Sequence, residues 1–372
     1  MSRILVLGGT GVTGRAVLER LGRELPEAEV DYASRRPSER IARPWVRLDL
    51  SGPSERTELA LAGYDWVVLC AGPFERLRAS AHRHCLRAGV GCIDVNDSID
   101  ARREIVALDG EARRAGAPVL TGFGLCPGIS TILLAELLDS ADPRQPVREL
   151  ETRLLVGGKQ EPGAASMESM FATMTGPWRA LVDGRERLMP AALERLPGRD
   201  GYDYLIGYEC PDIDRVREFA PGLRDYRYRA WFGQIGADSA RRMQSAGLLR
   251  VGWLAPRLAR LGARIGARRV ERLGPIPEDA RVIVIATDGE GRRRSIQATG
   301  APSFRLTGAC AGAALAAAVR GEFSPAAGVH EIWDLPEARA AVRRRLTGSG
   351  LVISAIEELR DRGPERGGRR ER

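Results

Sequence analysis

The sequence predicts an α/β protein in which a doubly wound parallel sheet is interrupted by a second, α+β domain. Over the first part of the chain, short apolar runs alternate with helix-like stretches, as expected for parallel strands joined by crossover helices. From about residue 147 the runs become longer and alternate like strands, and Asp288-Gly289-Glu290-Gly291 is typical of a hairpin turn. A chain of 372 residues is long enough to hold two hydrophobic cores.

A glycine-rich turn joins the first predicted strand to the first predicted helix. The apolar run 3–7 leads into a G-x-G-x-x-G turn, and an amphipathic stretch follows, which is the order found in dinucleotide-binding Rossmann units. Gly9 permits the tight turn, Gly11 lets a pyrophosphate approach the backbone, and Gly14 lets the helix pack closely on the strand. The expected cofactor contacts here are Gly8, Thr10, Gly11, Val12, Thr13 and Gly14.

The end of the second predicted strand indicates which dinucleotide is bound. NAD sites place an acidic residue at this strand end, whereas the strand 29–34 ends in Ser34-Arg35-Arg36. Guanidinium groups suit a 2′-phosphate because they are planar, permanently charged and bidentate. Asp31 lies three residues too early to be the NAD carboxylate. We therefore predict NADP (NADPH), with exposed arginines of no function as the alternative interpretation of Arg35 and Arg36.

The third and fourth predicted strands, 45–50 and 65–70, supply further cofactor candidates. Asp49 and Leu50 end the third strand and are expected near the adenine. The fourth strand is a continuous apolar run, typical of a strand buried on both faces, and it ends in Ala71-Gly72-Pro73-Phe74. Pro73 and Phe74 are expected beside the nicotinamide, and a core plug under the domain hinge is an equal alternative for Phe74.

The substrate candidates follow the next two predicted strands, 91–95 and 117–121. Asn96 and Asp97 end the fifth strand and could take an amine or carboxamide group; helix capping is the equal alternative. Phe123 is a further candidate, since it follows the sixth strand at the exit from the first domain. Lys159, the sole lysine of the chain, is a candidate for a substrate carboxylate, although chance surface placement is the more frequent explanation. The pattern identifies no proton donor.

Composition excludes several classes of protein. The net charge of +8 comes from arginines interspersed with acids, without a basic stripe or interleaved aromatics, so we expect no nucleic-acid partner. His82 and His84 stand two apart on a predicted helix, hence on different faces, and the six scattered cysteines form no metal motif; we expect no metal. The apolar stretches are too short to span a bilayer and no signal peptide is recognisable, so a cytoplasmic location is the default.

Residues 246–272 form a basic, amphipathic segment. Packing against its own domain or a second subunit is the more common explanation for such a pattern. The alternative is weak contact with a membrane surface, because an arginine-rich face opposite a Trp/Leu face is what interfacial helices use.

Several separated stretches resemble the saccharopine dehydrogenase family in its broad sense (saccharopine reductase / carboxynorspermidine dehydrogenase type). They are, in chain order, 8–14, 71–74, 85–90 followed by 92–94, Gly122 with Pro127-Gly128, 273–275 with Arg281, and Thr307 before an alanine-rich helix that ends near Gly321. The chain departs from the family pattern at 94–98, where an Asp-x-x-Gly-Glu-like stretch is usual. The resemblance implies an oxidoreductase in which NADPH reduces an imine of an amino-acid or amine conjugate. A double-bond (enoyl-type) reductase acting on a lipid or polyketide, or a non-catalytic dinucleotide-binding sensor, remains open.

The resemblance also implies a domain plan. Residues 1–128 would form the NADP-binding Rossmann domain and 129–325 an α+β domain that binds a small-molecule substrate and forms a homodimer. Residues 326–360 would return to the Rossmann domain, with a helix over 351–359 packed on it. The polar segment 361–372 is expected to be disordered.

Overall fold

The computed structural model describes residues 1–50, 54–157, 177–195, 204–233, 238, 241–242 and 279–359. The strands are β1 (Arg3–Leu7), β2 (Glu29–Ser34), β3 (Trp45–Arg47), β4 (Trp66–Leu69), β5 (Gly91–Asp94), β6 (Pro118–Thr121), β7 (Val147–Val156), β8 (Trp178–Val182), β9 (Arg185–Met189), β10 (Leu193–Arg195), β11 (Tyr204–Gly207), β12 (Asp225–Phe232), β13 (Ala280–Asp288), β14 (Arg293–Gly300), β15 (Gly328–Glu331), β16 (Val352–Ile353) and β17 (Glu357–Leu359). The helices are α1 (Val12–Glu24), α2 (Ser54–Leu61), α3 (Phe74–Leu77), α4 (Ser80–Arg87), α5 (Ile99–Val106), α6 (Asp109–Ala115), α7 (Ile129–Asp139), α8 (Val216–Phe219), α9 (Ser303–Val319) and α10 (Pro336–Thr347).

The first sheet is parallel and doubly wound, as predicted. Within the described residues its strand order is β15-β6-β5-β4-β1-β2-β3, so the chain reverses direction across the sheet beside β1. Strands β1 and β4 are neighbours, which brings the glycine turn after β1 next to the turn after β4. In open sheets of this kind, ligands bind at the carboxyl ends of the strands at such a switch point. Strand β3 is shorter than the predicted 45–50.

Both faces of this sheet are buried, which explains the continuous apolar runs of its strands. Ile4 and Val6 face a core that also holds α1 and α9, whereas Leu5 and Leu7 face a second core on the other side. Helices α1 and α9 cross closely because Gly308 has no side chain: a Cβ there would lie 2.7 Å from the Cβ of Ala16. Helix α9 thus packs on the Rossmann sheet, although it lies within the predicted range 129–325.

The second sheet is mixed and forms the α+β part of the described structure. Its order is β10-β11-β12-β7-β13-β14-β16, with β7 and β12 parallel and the other pairs on this path antiparallel. Helix α7 lies against β13 and β14 and is buried over most of its length. The predicted hairpin is confirmed, since Thr287 pairs with Arg293 across the turn that joins β13 to β14.

The carboxy-terminal part of the chain returns to the first sheet and then leaves it. Strand β15 pairs with β6 in parallel, and α10 packs on α9. The predicted helix over 351–359 is wrong: these residues form β16 and β17, and both pair with β14 of the second sheet. The backbone groups at the edge of β14 would lack partners without β16 and β17, which therefore pair with them. The β-branched Val352 and Ile353 also favour a strand over a helix. The domain boundaries as a whole remain a prediction.

Candidate dinucleotide site and adjoining cleft

The turn after β1 depends on Gly8. Its φ of +84° lies in the left-handed region that favours glycine, and its N–H donates to the carbonyl of Ala33 at 2.9 Å. The left-handed backbone conformation of the turn thus falls on Gly8 rather than on Gly9. Gly9 is required for space instead, because a Cβ there would lie 2.6 Å from the Cβ of Tyr32.

The start of α1 is arranged as a phosphate cradle. A Cβ at Gly14 would lie 2.4 Å from the carbonyl oxygen of Gly8, so glycine allows the close helix–turn packing that was predicted. Gly11, the N-cap residue of α1, is exposed, and a Cβ at this position would approach only the same oxygen, at 3.2 Å, among the described atoms. No described side chain caps this helix, so its first-turn N–H groups can receive an anion.

The end of β2 carries two unpaired cations. Arg35 and Arg36 are exposed, and neither has a carboxylate partner within the described ranges. Asp31 is engaged elsewhere: it accepts a hydrogen bond of 2.7 Å from the hydroxyl of Tyr64, away from the strand end. Ser34 is also engaged, because its hydroxyl donates to the carbonyl of Arg36 at 2.5 Å. Asp49 is exposed and Leu50 half-buried, just beyond the end of β3.

The turn after β4 lies directly beside the glycine turn. A Cβ on Gly8 would be 2.7 Å from the backbone nitrogen of Ala71, which shows how closely the two turns approach. Gly72 is exposed and Pro73 caps the short helix α3. Phe74 is buried in the core, as the core-plug alternative requires, whereas Pro73 is half-buried and therefore more accessible to a ligand.

A buried carboxylate organises the ends of β5 and β6. Asp94 accepts hydrogen bonds from the backbone N–H groups of Asn96 and Gly122, both at 2.8 Å, and its second oxygen lies 2.7 Å from Nε2 of His82. Both side chains of this Asp–His pair are completely buried. This role was not predicted from the sequence, although one ionisable residue in an otherwise apolar strand was a usable signal.

The two predicted substrate residues after β5 differ in their availability. Asn96 is 1% exposed, and its amide group both donates to and accepts from the backbone of Ser98. Its side chain therefore stabilises the turn before α5, as the alternative interpretation proposed, while Ser98 is the N-cap residue. Asp97 is exposed at the carboxyl end of the sheet, where a ligand can reach it.

Asp97 has an unusual titration. Desolvation by the surrounding protein, followed by the negative charge of Glu75, raises the pKa of the Asp97 carboxyl to about 7. Glu75, whose charge acts on Asp97, belongs to α3, which follows the turn after β4, and Asp97 follows β5. A carboxyl with this pKa can hold or release a proton near neutral pH.

Phe123 is not available to a ligand. Phe123 has no exposed surface and belongs to the core, and its backbone N–H donates to the carbonyl of Asp94. Lys159 lies outside the described residues, as does the segment 246–272. Burial raises the pKa of the nearby Cys126 thiol to about 12, which keeps this thiol protonated and unreactive.

The histidines next to the cleft have structural partners. His82 pairs with Asp94, and Nδ1 of His84 lies 3.3 Å from a carboxylate oxygen of Glu58. Across the described ranges, no group of three or more His, Cys, Asp or Glu side chains is placed to hold a metal ion. In the same ranges, no helix is both long and apolar enough to cross a bilayer.

The described residues form a Rossmann-type α/β fold with a second domain built on a mixed sheet. The structure is similar to apo saccharopine dehydrogenase (L-Glu forming) from Saccharomyces cerevisiae, with a TM-score of 0.67 and 13% identity over 97% of this chain and 100% of the other. The predicted resemblance to saccharopine dehydrogenases is thus confirmed at the level of the fold.

Weaker similarities extend to other dehydrogenases. A meso-dapdh mutant with DAP from Clostridium tetani E88 has a TM-score of 0.47 at 13% identity, covering 91% of this chain and 96% of the other. The WlbA (WbpB) dehydrogenase from Thermus thermophilus, in complex with NAD and UDP-GlcNAcA, has a TM-score of 0.41 at 13% identity, covering 95% and 96%. No protein-family profile and no curated protein sequence matches the chain.

Proposed function

We propose that this protein is an NADPH-dependent oxidoreductase that reduces an imine of an amino-acid or amine conjugate. The observation that carries the proposal is the end of β2, where Arg35 and Arg36 are exposed and have no carboxylate partner among the described residues, beside a glycine turn with open space at Gly11. The similarity to a saccharopine dehydrogenase supports the choice of an imine or secondary amine as the substrate class.

The described residues fit the cofactor. The open space above Gly11 receives the pyrophosphate at the start of α1, and Arg35 and Arg36 take the 2′-phosphate. The turn at Pro73 then lies on the nicotinamide side, because it follows the strand next to β1. When bound, NADPH supplies the hydride; the protein has to orient the substrate, exclude water and manage one proton.

Asp97 is our candidate for the residue that donates this proton. Reduction of an imine adds a hydride to carbon and a proton to nitrogen, so an acid must stand beside the nitrogen. Asp97 in its protonated form donates to the nitrogen, and the resulting carboxylate regains its proton from solvent because the side chain is exposed. Its ionised form, together with Glu75, favours a substrate or product that carries a cationic amine.

The first experiment measures cofactor binding by calorimetry with NADPH and NADH. We expect clearly tighter binding of NADPH; equal affinities would contradict the role of Arg35 and Arg36.

The second experiment screens carbonyl–amine pairs for NADPH oxidation. It compares Asp97→Asn with Asp109→Asn, whose carboxylate pairs with Arg113. We expect Asp97→Asn alone to lower kcat and to abolish the fall in kcat as pH rises through about 7. An unchanged profile would remove Asp97 from the mechanism.

The alternatives have less support from the described residues. The double-bond reductase relied on the segment 246–272, which lies outside them. An exposed Asp97 that can be protonated near neutral pH favours catalysis over a dinucleotide sensor.

We also propose the homodimer that the resemblance implies. Light scattering of the full chain tests this proposal, and a monomeric mass at micromolar concentration would contradict it.

A further inference from the structure

Trp45, the first residue of β3, is an exposed tryptophan with a specific hydrogen-bonding role. It is 37% exposed, and its indole N–H lies 3.1 Å from the hydroxyl oxygen of Ser34 and 3.3 Å from the carbonyl oxygen of Ser34. The Ser34 hydroxyl in turn donates to the carbonyl of Arg36 at 2.5 Å. A chain of hydrogen bonds therefore runs from the indole through Ser34 to the backbone carbonyl of Arg36. We call the loop that carries Arg35 and Arg36 the arginine turn.

The same turn is held from its far side. The backbone N–H of Ser38 donates to the hydroxyl oxygen of Tyr32 at 3.0 Å, and Tyr32 is buried in strand β2. Arg35 and Arg36 thus lie on a short loop that is fixed before and after them. The N–H of Gly8 also bonds to Ala33, so the glycine turn and the arginine turn share the end of β2 as a common support.

These contacts give Ser34 a different task from the one predicted. The hydroxyl has one proton, and this proton is donated to the Arg36 carbonyl rather than being available to a phosphate. The serine can still act on a bound phosphate indirectly, through the orientation of the arginine that follows it. Exposed arginine side chains lose much conformational entropy on binding, so a fixed backbone beneath them reduces the cost of engaging an anion.

We propose that Trp45 is a positioning residue for NADP specificity, which acts through Ser34 to hold the Arg35–Arg36 turn toward the 2′-phosphate. This inference rests on the proposed function, because it requires that the end of β2 binds the phosphorylated ribose. It adds a residue that lies outside the glycine-rich turn and the end of β2. In this scheme the Trp45 indole holds the Ser34 hydroxyl, the hydroxyl holds the Arg36 carbonyl, and the backbone there orients the guanidinium groups. Trp45 itself does not touch the phosphate in this scheme.

The experiment is a double-mutant cycle on Trp45→Phe and Ser34→Ala, with NADPH and NADH dissociation constants measured by calorimetry on the full chain. Trp45→Phe removes the indole donor, and Ser34→Ala removes the hydroxyl through which the indole reaches the Arg36 carbonyl, so we expect NADPH affinity to fall about three- to tenfold in either variant. NADH affinity should stay within about twofold, because NADH has no 2′-phosphate to position. The double variant should bind NADPH no more weakly than Ser34→Ala, since the two residues act in series.

Trp66→Phe is the matched control. Trp66 begins β4 and pairs with Gly91 at the amino ends of the strands, opposite the cofactor side, so both affinities should stay at wild-type values. Thermal unfolding of each variant checks that the fold persists.

The outcomes separate this inference from the proposed function. A wild type that prefers NADPH, with Trp45→Phe retaining the full preference, overturns the role of Trp45 alone. A Trp45→Phe variant that loses NADH and NADPH affinity equally also overturns it, because that result shows a general structural role. A wild type without preference for NADPH overturns the NADP assignment and this inference together.

Discussion

Arginines serve two opposite purposes in this molecule. Arg102 of α5 is 7% exposed and forms a bidentate pair with Glu331, both contacts at 2.6 Å, plus a bond of 2.8 Å to Asp214. Arg215 adds a further cation to this cluster through Glu331. At the end of β2, in contrast, Arg35 and Arg36 are exposed and have no carboxylate partner among the residues that the structure describes.

The contrast separates structural charge from binding charge. Arg102 lies on the Rossmann side and Asp214 in a short 3-10 helix of the second domain, so their bond joins the two parts of the protein. A cation that is already saturated by carboxylates has no capacity left for a ligand anion. A cation kept unpaired beside a helix amino terminus retains that capacity, and we infer that the arginine turn is kept free for this reason.

The largest expected effect comes from breaking the saturated cluster. Arg102→Ala removes the cation that lies between Glu331 and Asp214 and leaves each carboxylate with one remaining arginine, Arg215 or Arg103. We expect the free energy of unfolding to fall by up to about 3–5 kcal/mol, the loss for a fully broken buried pair. Denaturant titration measures this loss. Arg113→Ala is the control, because its pair with Asp109 is exposed and exposed pairs contribute little to the free energy of unfolding. A loss below about 1 kcal/mol at Arg102 would show that packing, rather than charge, holds the junction.

The unpaired arginines should show the reverse behaviour. Arg35→Ala and Arg36→Ala are each expected to weaken NADPH binding by about 1.5–3 kcal/mol, since each removes charged hydrogen bonds to phosphate. The free energy of unfolding should change by less than about 0.5 kcal/mol, because these side chains pack against little. Calorimetry with NADPH and NADH, beside a denaturant titration, gives both numbers. Stability losses comparable to that of Arg102→Ala would reject the division into two classes.

Gly11→Ala tests the phosphate cradle without touching any charge. Its φ of −71° suits alanine, so the fold should persist, but the new methyl group occupies space that a pyrophosphate needs. We expect at least about tenfold weaker binding, about 1.4 kcal/mol, for NADPH and NADH alike. Unlike the arginine variants, this change should not alter the preference between the two cofactors. Wild-type affinity in Gly11→Ala would show that the phosphates lie elsewhere.

The smallest expected effect concerns the pH dependence of stability. The pKa of Asp97 is raised from its ordinary value to about 7 in the folded protein, so the folded state favours the protonated carboxyl. The protonated carboxyl's contribution to the free energy of unfolding is complete below the pKa of Asp97 in the unfolded chain. It is lost as pH rises through about 7, the pKa in the folded protein. Asp97→Asn should therefore unfold at slightly higher denaturant than wild type at about pH 8, with the difference vanishing in acid. A difference that grew in acid would contradict the assigned direction.

Local signals predicted the Rossmann half of the protein well. The strands β1 and β2 have the predicted bounds, and Gly8, Gly9 and Gly14 of the first turn are each required by a close contact or a positive φ. Such features are readable because a parallel, doubly buried strand and a phosphate turn each impose residue types over a few adjacent positions. The segment 351–359 was misjudged because its conformation depends on the distant edge of β14, which no local pattern reveals.

The sequence by itself determined the strand–turn–helix unit, the alternation that gives the parallel sheet, and the arginines at the end of β2. Only the tertiary structure decided which of the described charged groups are paired within the fold and which stay exposed. Asp94 and Asp97 stand three residues apart, yet one is saturated by His82 and two backbone N–H groups while the other is exposed. Arg102 finds Glu331 at a separation of 229 residues. The pairing of a charge depends on which groups folding brings within about 3 Å, and sequence neighbours do not set that distance.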